Sequence, residues 1–209
     1  MQAIIAHLTI QPSKTQEYEA QFAANAANVL LNEPGVFLYQ LTKDPKTPGA
    51  YTVLELYENK RALKTHFQNM PKGQPNYMDG RPELVIMPVT GTPVFRRNII
   101  ARGESSVGIV AKFVLKPNTG SAFFSAFANA SKGVEAKEQG THLYAVGEDP
   151  KNPGNCYVME LYKNKQATVV HSKMNHFQML MASVGSLMAK KPSLKYLIPV
   201  GKSHSESKL

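Results

Sequence analysis

The sequence has no tryptophan and one cysteine in 209 residues, and its 15 acidic side chains fall well short of its 24 lysines and arginines. A lone thiol, Cys156, cannot close an internal disulfide, which fits a reducing compartment, and its apolar and aromatic neighbours predict a buried, inert group. No metal-ligand cluster is legible, so neither a metal nor another cofactor is expected. No apolar run approaches the ~20 residues of a bilayer span, and the amino terminus lacks a basic leader, so the expectation is a soluble chain with no membrane partner. A net charge of +9 invites a nucleic-acid reading. The lysines are scattered, however, and no aromatic side chains interleave with them, so no nucleic-acid partner is expected.

What is present is a repeat. Glu33-Pro34-Gly35-Val36-Phe37-Leu38-Tyr39 recurs 105 positions later as Glu138-Gln139-Gly140-Thr141-His142-Leu143-Tyr144. The same displacement carries Asp44-Pro45-Lys46-Thr47-Pro48-Gly49 onto Asp149-Pro150-Lys151-Asn152-Pro153-Gly154, Val53 to Lys60 onto Val158 to Lys165, and His66 onto His171. Near the end the offset grows to 111, so the second copy carries about six extra residues before its last strand.

Each copy reads as β-α-β-β-α-β. Alternation predicts strands at 3–10, 36–41, 51–57 and 84–89, and an apolar stripe predicts a helix from an N-cap at Ser13 to about Asn32. Gly35 is expected to end that helix in the left-handed conformation, and Asn59 to cap a second helix through about Gln68. The second copy repeats this at 107–115, 119–137, 141–147, 155–162 and 195–200, with one long helix over 164–190. The domains are then 1–90 and 107–201, a linker over 91–106 whose Val94-Phe95 and Ile99-Ile100 suit an added strand, and a flexible tail over 202–209. Large side chains on both faces of 51–57 mean that each sheet needs cover on its second face, which the other copy can supply.

The Glu33-Pro34-Gly35 turn with Tyr39, the strand bearing Glu55 and Tyr57, and the helix with Ala62-Leu63 and His66-Phe67 resemble the antibiotic-biosynthesis-monooxygenase (ABM) domain of the dimeric α+β barrel superfamily. The resemblance covers nearly the whole chain, twice. It implies an α+β fold of two ferredoxin-like β-α-β-β-α-β domains packed sheet to sheet as an intramolecular barrel, a pseudo-dimer open to further oligomerisation. It also implies a pocket in each half and, among members, cofactor-independent oxygenation of quinols and phenols. The family's haem-degrading branch does not fit a chain without tryptophan.

His66 and His171, near the ends of the second helices, are the candidate catalytic groups, able to move a proton of a phenol. Tyr39, Glu55, Tyr57, Tyr144, Glu160 and Tyr162 are candidate pocket walls for a small aromatic or hydrophobic molecule, although buried carboxylates in pairs and core tyrosines explain the same pattern. Glu33-Pro34-Gly35 and the Asp-Pro-Lys-x-Pro-Gly loops are read as mechanical. The terminal Ser207-Lys208-Leu209 matches the address read by the peroxisomal import receptor. The expectation is a peroxisomal monooxygenase if the source is eukaryotic, and a cytoplasmic one otherwise. A non-catalytic metabolite-binding protein and a structural or stress protein without ligand are the alternatives.

Overall fold

The computed structural model describes residues 1–70, 76–89 and 105–201, together with the backbone of Phe95–Arg96. The first compact unit spans Met1–Ile86 together with residues from Leu197 onward. It is built from β1 (Gln2–Thr9), α1 (Thr15–Asn32), β2 (Val36–Lys43), β3 (Ala50–Tyr57), α2 (Lys60–Asn69) and the start of β4 (Glu83–Pro88). Its antiparallel sheet runs β4-β1-β3-β2, with β3 at the centre. Alternation along β1 and β3 puts Ile4 opposite Glu55 and Ala6 opposite Val53, so one face carries both the core and the carboxylate that will matter below.

The second unit takes Met87–Arg97 and Ser105–Tyr196. It contains β5 (Phe95–Arg96), β6 (Val107–Val114), α3 (Gly120–Lys137), β7 (Thr141–Glu148), β8 (Asn155–Tyr162), α4 (Lys165–Lys173), α5 (Asn175–Gly185) and the start of β9 (Ser193–Pro199). Its strand order is β6-β8-β7-β5. The short β5 pairs Phe95 with Tyr144, so part of the expected added strand forms; Ile99-Ile100 and the tail bearing Ser207-Lys208-Leu209 lie outside the described residues. The two β-α-β-β-α-β copies fold alike down to a register shift after the first residue of β2 and of β7. Among the described residues no helix is long and apolar enough to cross a membrane.

Three local expectations are corrected. Ser13 caps nothing: Pro12–Lys14 form a 3-10 turn, which proline can begin because its missing N–H would be unpaired there, and α1 starts at Thr15. Gly35 and Gly140 are not left-handed. They are glycine because a Cβ would meet the Ala62 Cβ at 2.5 Å and the Ala167 Cβ at 2.8 Å, where α2 and α4 press on the turn. Glycines that do take the left-handed conformation include Gly49 (φ 80°) and Gly154 (φ 87°), which close the Asp-Pro-Lys-x-Pro-Gly hairpins. The helix expected over 164–190 breaks at Met174, which is extended (ψ 142°) and turns the chain so that α5 packs on α3. By contact, Met87–Val89 go with the second compact unit and Leu197–Gly201 with the first.

Candidate active site

α1 lays Tyr18, Phe22, Ala26 and Val29 toward the sheet at helical spacing, and α2, capped by Asn59 Oδ1 at 2.9 Å from both the Arg61 and Ala62 amides, brings His66 to the same level. Between helices and sheet lies a cavity of about 560 Å³, within the ~300–1,000 Å³ range of small-molecule sites. Its walls are mainly apolar. Its polar groups are Tyr18, Gln21 and Asn25 from α1, Tyr39 from β2, Glu55 from β3, His66 from α2, and Asn76 and Tyr77 ahead of β4.

His66 is buried, with Nδ1 3.0 Å from Glu33 Oε2 and its ring 5.1 Å from Tyr39 and 5.4 Å from Tyr57, centroid to centroid. An ionised carboxylate only accepts, so Nδ1 carries the proton and Nε2 is the basic nitrogen of the neutral ring. Burial lowers the His66 pKa, and the opposing pull of Glu33 does not cancel it, so the ring is neutral at pH 7. Glu55 is held the other way. Burial pushes its carboxyl up to about 7, against a hydrogen bond from the Tyr57 hydroxyl that favours ionisation. Tyr57 is itself fully buried and stands behind Glu55 rather than in the cavity wall. Burial and then the Glu55 charge raise Tyr39 well above a normal phenol, so it stays protonated. The Gln21 amide oxygen is buried without a hydrogen-bond partner, which is costly until something donates to it.

The second copy places its equivalents differently. Tyr144 packs in a core with Phe113, Phe123, Phe127, Leu180 and Val184, all at most 5% exposed. Phe113, Phe123, Ala126 and Ala130 stand where the first copy has Leu8, Tyr18, Gln21 and Asn25. The polar wall is thus replaced by larger rings and methyl groups, and α5 adds Leu180 and Val184 to the filling. His171 is covered by Phe177 at 4.7 Å, and its Nε2 is buried without a partner. Glu160 accepts from the Tyr162 hydroxyl at 2.6 Å, and burial raises its pKa. Burial acts to lower His171, but the hydrogen bond it donates to Glu138 and the charges of Glu160 and Glu138 outweigh it and raise the pKa.

The structure therefore brings Tyr39, Glu55 and His66 together around a cavity, with Tyr57 in support, and buries Tyr144, Glu160, Tyr162 and His171 among side chains. Sequence reasoning missed Glu33, dismissed as part of a turn, and the α1 residues Gln21 and Asn25. A signal existed for each: Glu and His recur together 33 positions apart in both copies, and the α1 polar residues are where the copies diverge.

The first unit is thus a ferredoxin-like α+β domain with a histidine-carboxylate pair beside a cavity between helices and sheet. Residues 1–71 and 106–183 match the antibiotic biosynthesis monooxygenase family, and the chain belongs to it in both copies. Comparison with curated proteins finds no significant match. Among solved structures, a protein of Lactobacillus acidophilus NCFM proposed to be a monooxygenase superposes with a TM-score of 0.81 at 19% identity, covering 98% of this chain and 96% of the other. One from Fusobacterium nucleatum, described likewise, gives 0.78 at 16% identity over 97% and 94%. An anthrone oxidase-like protein gives 0.61 at 11% identity over 99% and 94%. At these identities the likeness is one of fold, and it extends over the whole tandem arrangement.

Proposed function

We propose that the chain is a cofactor-independent monooxygenase that oxidises a phenol or quinol with O2, using one site, in the first copy. The observation that carries this reading is His66: neutral, oriented through Nδ1 by Glu33, and set in the wall of a cavity large enough for a fused aromatic molecule. Nε2 takes the phenolic proton, and the phenolate then gives one electron to O2. The resulting superoxide and phenoxyl radical combine at a hydrogen-bearing ring carbon para or ortho to the oxygen, forming a C–O bond, and the proton held on Nε2 returns to give the hydroperoxide. Loss of water leaves a ring carbonyl. One oxygen atom stays on carbon and the other departs as water with one hydrogen from that carbon and one from the phenol, so the balance is phenol plus O2 to quinone plus water. The protonated Tyr39 hydroxyl and the near-neutral Glu55 are donors for developing negative charge on oxygen. The unpartnered Gln21 oxygen favours a substrate with a second hydroxyl or an N–H.

Oxygen uptake with a panel of hydroquinones and anthrone-like phenols tests this. His66→Ala should lose roughly 10²–10⁴-fold in kcat, whereas His171→Ala should leave it unchanged. Uptake untouched by His66→Ala would end the catalytic reading and leave that of a binding protein. The sequence of the tail further supports a proposal of peroxisomal delivery, tested by a fluorescent fusion carrying residues 202–209 with and without Leu209.

A further inference from the structure

The second copy fills the region that matches the first copy's cavity, and its carboxylate makes contacts that the first lacks. Glu138, at the end of α3, receives His171 Nδ1 from the last turn of α4 at 2.9 Å (Oε2), His176 Nε2 from the first turn of α5 at 2.5 Å (Oε1), and the Thr141 hydroxyl at 2.9 Å. In the first copy Val36 stands in place of Thr141, and at the 105-residue offset Pro71 stands in place of His176. Two independent additions thus converge on one carboxylate. The backbone makes room for the new ring: a Cβ at Gly133 of α3 would come 2.7 Å from His176 Cγ and Nδ1.

We propose that Glu138, His171 and His176 form a divalent transition-metal site, suited to Zn²⁺ or an ion of similar size and softness. Two imidazoles and a carboxylate, from three rigid elements, are a common donor set for such ions. Their ligating atoms lie within 4.8 Å of one another, which among the described residues is matched by no other group of three. An ion with bonds of about 2.0–2.1 Å in tetrahedral geometry needs donors about 3.3 Å apart, so the two carboxylate–imidazole spacings of 2.9 and 2.5 Å open by under about 1 Å when metal replaces the shared protons. The outer shell is already present. Thr141 orients the carboxylate, and ligation through Nδ1 leaves the His171 proton on Nε2, within the field of the Glu160 charge. Glu138 and His171 are almost fully buried, whereas the His176 side chain is 14% exposed, which leaves an entry path and a coordination position open to water. Site and cavity fall in different copies, so this inference stands apart from the oxygenase reading.

The test is calorimetric titration of the full chain, stripped with chelator, with ZnCl2, paralleled by Co²⁺ absorption in the visible region, where tetrahedral Co²⁺ absorbs strongly. The expected result is one ion per chain with micromolar or tighter affinity and a rise in Tm on addition. His176→Ala should lower affinity by about 100-fold or more and Thr141→Val by about tenfold; His66→Ala should leave it unchanged. His176 is partly exposed and its loss preserves the Glu138–His171 pair, so that variant decides the matter even where Glu138→Gln folds poorly. No binding below about 100 μM, or binding unaltered in His176→Ala, overturns the proposal.

Discussion

Glu55 and His66 are buried ionisable groups held in their neutral forms, and each makes a pH prediction. The Glu55 carboxyl sits near 7 in the fold against 4.5 free, so the fold favours its protonated form. The stability this contributes is full below pH 4.5 and is lost as pH rises through 7, a change of about 3 kcal/mol. Glu55→Gln keeps an acceptor for the Tyr57 hydroxyl and cannot ionise. Urea denaturation should show it as stable as wild type at pH 4 and more stable, by up to about 3 kcal/mol, at pH 8. For His66, whose pKa is lowered chiefly by burial, the acid limb of kcat/KM should fall below the ordinary imidazole range. Glu33→Gln removes the group that raises it, so the limb should move further down while the plateau rate drops roughly tenfold, as expected of a positioning residue acting through the base.

At the scale of elements, much was legible because periodicity and turn chemistry are local. Asn59 and Asn164 announce the starts of α2 and α4, and both side chains accept amide hydrogen bonds there. Asn59→Ala should cost about 1 kcal/mol in thermal or chemical unfolding. The break at Met174 was not legible, since no proline or glycine marks it; it follows from α5 packing on α3 and from His176 returning to Glu138, contacts that local sequence does not carry. Gly35 illustrates the same limit, because its need for a bare backbone comes from Ala62, far along the chain. Gly35→Ala should destabilise by about 1–3 kcal/mol through overpacking, and Ala62→Gly in the same chain should recover part of the loss. The site divides likewise: His66, Tyr39 and Glu55 stood out as residue types, whereas Glu33 gained meaning only once the fold set it against the His66 ring.

For the whole molecule, duplication has produced copies that share topology and differ in content. The first keeps a cavity of about 560 Å³; the second fills the matching region with Phe123, Phe127, Leu180 and Val184. Equilibrium binding of a quinone product analogue should saturate at one per chain, and Phe123→Ala should cost about 3–5 kcal/mol of stability rather than affinity. Each unit is also completed by residues remote in sequence. Val200 packs against the first core, its amide bonded to the Leu41 carbonyl at 2.9 Å, while fully buried Met87 lies against Gly147. Severing the chain near residue 100 and expressing the pieces singly would therefore strip each of a stretch of its own interior. Neither piece should be durable alone, and mixing the two should restore what each lacks, so this gene cannot simply revert to the free-standing single-domain ancestor that its internal symmetry records.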